Sequence, residues 1–332
     1  MAETPSSPQF VGDDAVLPFE VAPLDVRGRA IQMGPAIDAL LARHDYPDVV
    51  SRLVGEAVVL AVLLGSSLKF DGKFILQTET NGPVDMLVAD YRTGGEVRAY
   101  ARFDAERVAA AEAGGSADPA GLLGSGTLAM TVDQGVYMSR YQGVVPLEGQ
   151  GLEEAAHTYF RQSEQIPTRV RLAVGEIIQR EDGQMQRGWR AGGLIVQFLP
   201  DAPERMRQPD LPSGDVPEGT EIEPPDEDDA WVEAQALIGT VEDHELTDPA
   251  VPVERLLYRL FHERGVRVFA PVAISDACSC SRDRIVGMLS RFSGEEIADS
   301  IEDGRITVTC EFCGTRYEFD PDEFAGPEED AG

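Results

Sequence analysis

The sequence predicts an α+β fold: an N-terminal domain of helices and a largely antiparallel sheet, a helical linker, and a small C-terminal domain built around cysteines. Three observations carry this. Short β-rich runs parted by turn residues fill much of 74–145. Apolar residues recur at helical spacing in 47–65 and again in 252–264. All four cysteines fall between Cys278 and Cys313.

Taken in order, residues 1–17 are polar, carry Pro5 and Pro8, and are expected to form a flexible N-terminus. From Phe19 to Ala30 the pattern is extended. Residues 34–45 and 47–65 read as helices. In the second, Val50, Leu53, Val54, Ala57, Val58, Leu60, Ala61 and Leu64 share the helical period, and Asp48 is placed to cap it. Strands are expected at Phe74–Thr80, Val84–Tyr91, Val97–Phe103, Thr127–Val132 and Val136–Val145. Asp71-Gly72, Asn81-Gly82 and Gly94-Gly95 supply turns. The run Gly121–Gly126 lacks the lysine of a phosphate loop and reads as a turn. Residues 151–165 return to a helix, and Arg169–Gln179 and Arg190–Leu199 fit two further strands.

Composition changes at Pro200. Residues 201–230 hold eleven acids, two Arg and six Pro, too little apolar surface to offset ordering, so an acidic, disordered insertion is expected. Helices at 230–242 and 252–264 follow, the second striped by Leu256, Leu257, Leu260 and Phe261. The domain plan is thus 1–17 flexible, 18–200 core, 201–230 insertion, 231–274 helical linker, 275–324 cysteine domain and 325–332 acidic tail.

Net charge is −31, which disfavours nucleic acid or anionic lipid as partner, because phosphate binding relies on Lys and Arg. Residues 275–324 alone carry five Arg against twelve acids. No basic n-region with an apolar core opens the chain, and the longest apolar run, Ala57–Leu64, falls short of the roughly 20 residues of a membrane span. A cytoplasmic protein without a membrane partner is expected. His44, His157, His244 and His262 are scattered, no catalytic constellation emerges, and the chain is not read as an enzyme.

Cytosolic cysteines stay reduced, so a cluster of four points to metal or redox chemistry more than to a structural disulfide framework. The arrangement is Cys278-Ser-Cys280, 29 residues, then Cys310-Glu-Phe-Cys313-Gly314. Residues i and i+2 of an extended segment point to one side, so both members of the first pair can reach one ion. Cys-x-x-Cys-Gly is a common zinc-knuckle layout. Four thiolates with no fifth ligand imply one Zn2+ in a closed site on Cys278, Cys280, Cys310 and Cys313, not an open catalytic one. Two purposes fit: a structural zinc ribbon that staples a 50-residue unit, or a redox switch whose oxidation ejects the metal and unfolds that unit.

Several segments then resemble the heat-shock protein 33 family of redox-regulated bacterial chaperones. They are Leu68–Gly72, Tyr141–Val145 with Leu147–Gly149, Tyr159-Phe160, Ser163–Gln165, Pro167–Arg169, Ala191–Gly193, Leu256–Glu263, and the cysteine pairs with Tyr317 and Phe319. The resemblance spans about 18–200 and 230–322. It departs from the family pattern in the acidic stretch and the N-terminal extension. It implies an ATP-independent holdase, inactive when reduced and zinc-loaded. Oxidation would form Cys278–Cys280 and Cys310–Cys313 disulfides, release zinc and unfold the linker. Unfolding client proteins would then be held, by a homodimer of the oxidised form. The alternative is a zinc-ribbon interaction module without redox switching.

Overall fold

The computed structural model describes residues 10–69, 71–135, 140–181, 184–200 and 227–324. The expectations for residues 1–9, for most of the acidic insertion (201–226) and for the acidic tail lie outside these residues. The chain divides into two compact units, Met1–Asp276 and Ala277–Gly332.

The first unit is α+β, with two sheets. Strands β1 (Ala15–Val21) and β2 (Val26–Met33) form a hairpin. Ala15, Val16 and Leu17 are buried, so ordered chain begins inside the stretch expected to be loose. This sheet is covered on both faces, so β1 shows no clean apolar–polar alternation by which to find it. Helix α1 (Pro35–Leu41) stops short of residue 45, and α2 (Asp48–Gly65) follows. Asp48 is not the cap of α2: Pro47 holds that position, with no side-chain cap bond.

Strands β3 (Lys73–Thr80), β4 (Val84–Arg92) and β5 (Glu96–Phe103) lie at the expected runs. Two helices that sequence reasoning missed come next, α3 (Ala105–Gly114) and α4 (Pro119–Leu123), capped by Asp104 and Asp118. Gly124, at φ +65°, turns the chain from α4 into β6 (Ser125–Asp133). Strand β7 (Tyr141–Glu148) starts later than expected; 136–139 fall outside the described residues. Helix α5 (Leu152–Tyr159) ends in a wider π-type turn, Phe160–Glu164. The hairpin β8 (Thr168–Glu181) and β9 (Gln184–Phe198) is longer than its apolar runs suggested.

Beyond the acidic stretch come α6 (Asp229–Ile238), α7 (Asp243–Thr247) and α8 (Val253–Phe261). The last acids of the run are ordered: Asp228 caps α6 by accepting the Ala230 N–H at 3.0 Å. After α8 the linker is not helical. Three two-residue strands, β10 (Arg267–Val268), β11 (Val272–Ala273) and β12 (Ser275–Asp276), pair along strand edges. Elements this short carry no readable period. The first sheet has the order β10-β1-β2-β9-β8, with β11 also on β1. The second has the order β12-β5-β4-β3-β6-β7. Every pairing in this unit is antiparallel except β12 on β5.

Helix α2 lies between the sheets. It is apolar on nearly every face, as an enclosed helix must be, and Val54, Ala57, Val58, Leu60 and Ala61 are all buried. One core joins it to Ile31, Met33 and Ile195 of the first sheet and to Leu76, Leu87 and Leu128 of the second. The opposite face of the first sheet builds a second core. Leu17, Phe19, Val26, Leu194, Val196 and Phe198 meet Trp231 and Ile238 of α6, Leu246 of α7, and Leu256, Leu257, Leu260 and Phe261 of α8. Gly192 and Gly193 let β9 be approached closely from both sides. A Cβ at 193 would come within 2.5 Å of Val59 on α2, and one at 192 within 2.0 Å of the Leu246 carbonyl on α7.

The second unit holds α9 (Arg282–Leu289), α10 (Gly294–Asp299) and the antiparallel strands β13 (Ile301–Glu302), β14 (Arg305–Thr309) and β15 (Arg316–Phe319). Its buried apolar core is Ile285, Leu289, Ile297, Ile306 and Phe319.

Candidate functional site

Two features stand out: a cluster of four sulfurs and an apolar sheet face covered by its own linker.

Cys278 and Cys280 lie in the extended segment between β12 and α9. Ser281 ends that segment by capping α9, accepting the Arg284 N–H at 3.3 Å. Cys310 and Cys313 occupy the turn between β14 and β15. There Gly314 N–H donates to the Cys310 carbonyl at 2.8 Å, and Cys310 N–H donates to the Thr315 carbonyl at 2.9 Å. Gly314 takes φ +67°, the left-handed conformation that folds the turn back. The separation is 3.7 Å between the sulfurs of Cys278 and Cys310, and 3.4 Å between those of Cys280 and Cys313. All four sulfurs lie within 4.8 Å of one another. Tetrahedral zinc with bonds of about 2.3 Å needs sulfurs about 3.8 Å apart. The donor set and spacing therefore fit a four-thiolate ion.

The thiols carry their own electrostatic tension. Burial pushes Cys310 up to about 12 and raises Cys280. At Cys313 burial also acts upward, but hydrogen bonding with the Thr315 side chain and backbone and with the Cys280 and Cys278 thiols outweighs it and brings the thiol to about 7. A cation at the centre of the cluster would deprotonate all four. Two hydroxyls touch the sulfurs. Tyr317 donates to Cys280 Sγ at 3.2 Å, and Thr315 Oγ1 lies 3.2 Å from Cys313 Sγ. Thr315 escaped sequence reasoning, since a threonine two residues past a cysteine carries no distinctive signal. The surrounding unit is small. Arg282 stacks 4.3 Å from the Phe319 ring centre and pairs with Glu323 at 2.8 Å.

None of the four histidines belongs to the cluster. His157 is half-buried against β8, its Nε2 accepting the Val170 N–H at 2.9 Å, and partial burial holds it down at about 4. His44 stacks on Tyr46, His244 pairs with Glu242, and His262 packs on Tyr258. Among the described residues no helix is long and apolar enough to cross a membrane.

The covered face is held by α8. Its apolar stripe is enclosed by the first sheet, with the Phe261 ring 5.8 Å from that of Phe19. On α6, Trp231 stacks 5.9 Å from Phe198. Tyr258 and Val232 point to solvent from the same helices.

A sheet that buries one face under its own C-terminal linker, followed by a small unit with four clustered thiols, defines a two-unit protein with a metal-type sulfur centre. The chain belongs to the Hsp33 family: the family model for Hsp33 protein matches residues 14–320. The 33 kDa chaperonin of Caulobacter vibrioides is 47% identical over 311 residues, covering 93% of this chain and 95% of that protein. The 33 kDa chaperonin of Pseudomonas aeruginosa is 34% identical over 327 residues, covering 98% and 95%. The crystal structure of the Thermotoga maritima 33 kDa chaperonin superposes with a TM-score of 0.69 at 21% identity, covering 94% of this chain and 96% of the other, which shows a shared fold. The family assigns a chaperone role.

Proposed function

We propose that this chaperone is a redox-switched holdase. In the reduced form Cys278, Cys280, Cys310 and Cys313 hold one Zn2+, and α6–α8 cover the apolar face of the first sheet. The observation that carries the reading is the pairing of these two features in one chain. The sulfur unit has a five-residue buried core, and small units of this kind draw their folding energy from the metal, on the order of 10–16 kcal/mol.

Peroxide is the oxidant. One thiolate of a pair attacks peroxide, breaking the O–O bond to give a sulfenic acid and hydroxide. Its partner thiolate then attacks that sulfur, forming the S–S bond and expelling a second hydroxide. Each pair loses two electrons, and after both steps no thiolate remains to bind a metal. The family resemblance favours Cys278–Cys280 and Cys310–Cys313 as the pairs, and the 4.8 Å envelope of the sulfurs is compatible with them. Residues 277–324 then lose their staple. The linker leaves the sheet, and the bared face holds apolar segments of unfolding proteins without ATP, with oxidised chains acting as homodimers.

The test is peroxide treatment of the zinc-loaded protein under mildly unfolding conditions. Disulfides are mapped by mass spectrometry, zinc is followed with a chelating dye, and a thermally denatured client is followed by light scattering. Loss of about one zinc per chain with suppressed scattering supports the reading. Zinc loss without any effect on the client refutes the switch and leaves a structural ribbon.

A further inference from the structure

The covered face is not wholly apolar. Six polar or charged residues are buried among the described residues, and two of them, Gln32 (5% exposed) and Arg190 (4% exposed), face the same short stretch of linker. Gln32 on β2 lies directly across from Gly192 on β9, two residues along from Arg190. The stretch they meet is the end of α7 and the turn after it.

A helix end leaves main-chain carbonyls without partners, and buried carbonyls need donors. Here the core supplies them. Gln32 Nε2 lies 2.8 Å from the Val251 carbonyl, 3.3 Å from that of Glu245 and 3.5 Å from that of Asp248. Arg190 Nε donates to the Thr247 carbonyl at 2.7 Å, while its Nη1 donates to Asp13 at 2.8 Å. The Leu246 carbonyl fills the gap over Gly192. The guanidinium also places a cation at a helix C-terminal end, where it is favoured.

We infer that Gln32, Arg190 and Gly192 form a carbonyl-reading socket that selects the folded turn 245–251 of this chain as the cover of the sheet. The apolar contacts of α6 and α8 are non-directional and would accept any apolar segment, a client included. The socket is directional. It is satisfied only when several carbonyls converge from a folded turn, so it separates the chain's own linker from an extended client segment. It rests on the proposed function in treating the covered face as the client surface, but its structural content is independent of redox chemistry.

The test uses full-length, reduced, zinc-loaded protein carrying Gln32→Leu, a side chain of similar size with no donor. Removing the donor to these half-buried carbonyls, of which only that of Asp248 keeps the Val251 N–H at 3.1 Å, should speed hydrogen exchange of the 243–261 amides between about tenfold and hundredfold, with α2 amides unchanged and zinc retained. Client aggregation should then be suppressed without oxidant. Exchange equal to wild type overturns the socket. Exchange raised with no gain in client holding, while oxidised wild type does hold clients, overturns its role in selection. If oxidised wild type holds no client either, the proposed function fails, and the exchange result alone decides the socket. Should Gln32→Leu fail to fold, Asp248→Ala decides. Asp248 Oδ1 accepts the Ala250 N–H at 2.8 Å and so pre-forms the turn from the linker side. A severalfold faster exchange of 243–251 supports the socket, and no change overturns it.

Discussion

Phe261 offers the sharpest mechanical probe of the linker. Its side chain is fully buried at the end of α8, against Phe19 of β1 and the apolar stripe of its own helix. Truncating such a ring to alanine costs about 3–5 kcal/mol through lost transfer energy and the cavity left behind. The loss falls on the contact between linker and sheet, because the ring lies in the outer core and not in the one that holds α2. At about 1.4 kcal/mol per factor of ten, the undocked population rises by roughly a hundredfold to a few thousandfold. Hydrogen exchange of the zinc-loaded Phe261→Ala protein should show the 253–261 amides accelerated by that factor while α2 keeps wild-type protection. If α2 and α8 lose protection together, the linker is not a separate unfolding unit, and a switch that acts by releasing it cannot operate.

Other perturbations have equally definite outcomes. Cys310→Ser removes one sulfur from the cluster, so metal analysis should find well under one zinc per chain and the fold of 277–324 should be lost by NMR. His157 is held at about 4 in the folded protein, mainly by burial, against an ordinary value near 6.5. The unfolded chain therefore binds the extra proton first. Stability from this group is whole above about pH 6.5 and drains as pH falls toward 4, by about 3 kcal/mol at most. Urea titrations at pH 7 and 4.5 should differ less in His157→Gln than in wild type. Glu56 acts in the opposite sense. It lies beside a cavity of about 220 Å3 shared with Asp118, Glu153 and Glu154. Burial and then the nearby acids, Glu153 first, raise it to about 8. The folded state keeps a proton that the unfolded chain has lost, so stability drains as pH rises from about 4.5 to 8. Glu56→Gln should gain about 4 kcal/mol over wild type at pH 8 and nothing at pH 4. Equal melting temperatures at both pH values would refute that assignment.

Much of this architecture was legible in the residues, for reasons that also explain the misses. The strands of the second sheet announced themselves through Asn81-Gly82 and Gly94-Gly95 and through β-branched runs. Helix α2 announced itself by an apolar period too long for a strand. The four cysteines were legible because two close pairs in a chain with no other cysteine leave few readings. Helices α3 and α4 were missed because each buries little: only Val108 in the first, and Leu122 and Leu123 in the second. Strands β10–β12 were missed because they exist only by pairing with edges distant in sequence, Arg267 on Glu20 and Ser275 on Glu96. Gln32 and Arg190 gave no signal for a related reason. A glutamine in a strand reads as solvent-facing until the chain about 215 residues later is known to cover it.

The linker is therefore more than a spacer. It supplies three helices to one face of a sheet and closing strands to the edges of both sheets. Its last residues are tied down: the Asp276 carboxylate accepts from Arg43 on the loop after α1. Cys278 follows two residues later, so the covalent path from sulfur centre to covered face is short in sequence.

The most direct test of the account follows three signals in one sample during a peroxide titration of zinc-loaded protein: zinc released, exchange of the 253–261 amides, and scattering from a denaturing client. Zinc release should track loss of α8 protection, and suppression of scattering should appear with both. Suppression of scattering while zinc stays bound, or complete zinc release with α8 still protected, would contradict it.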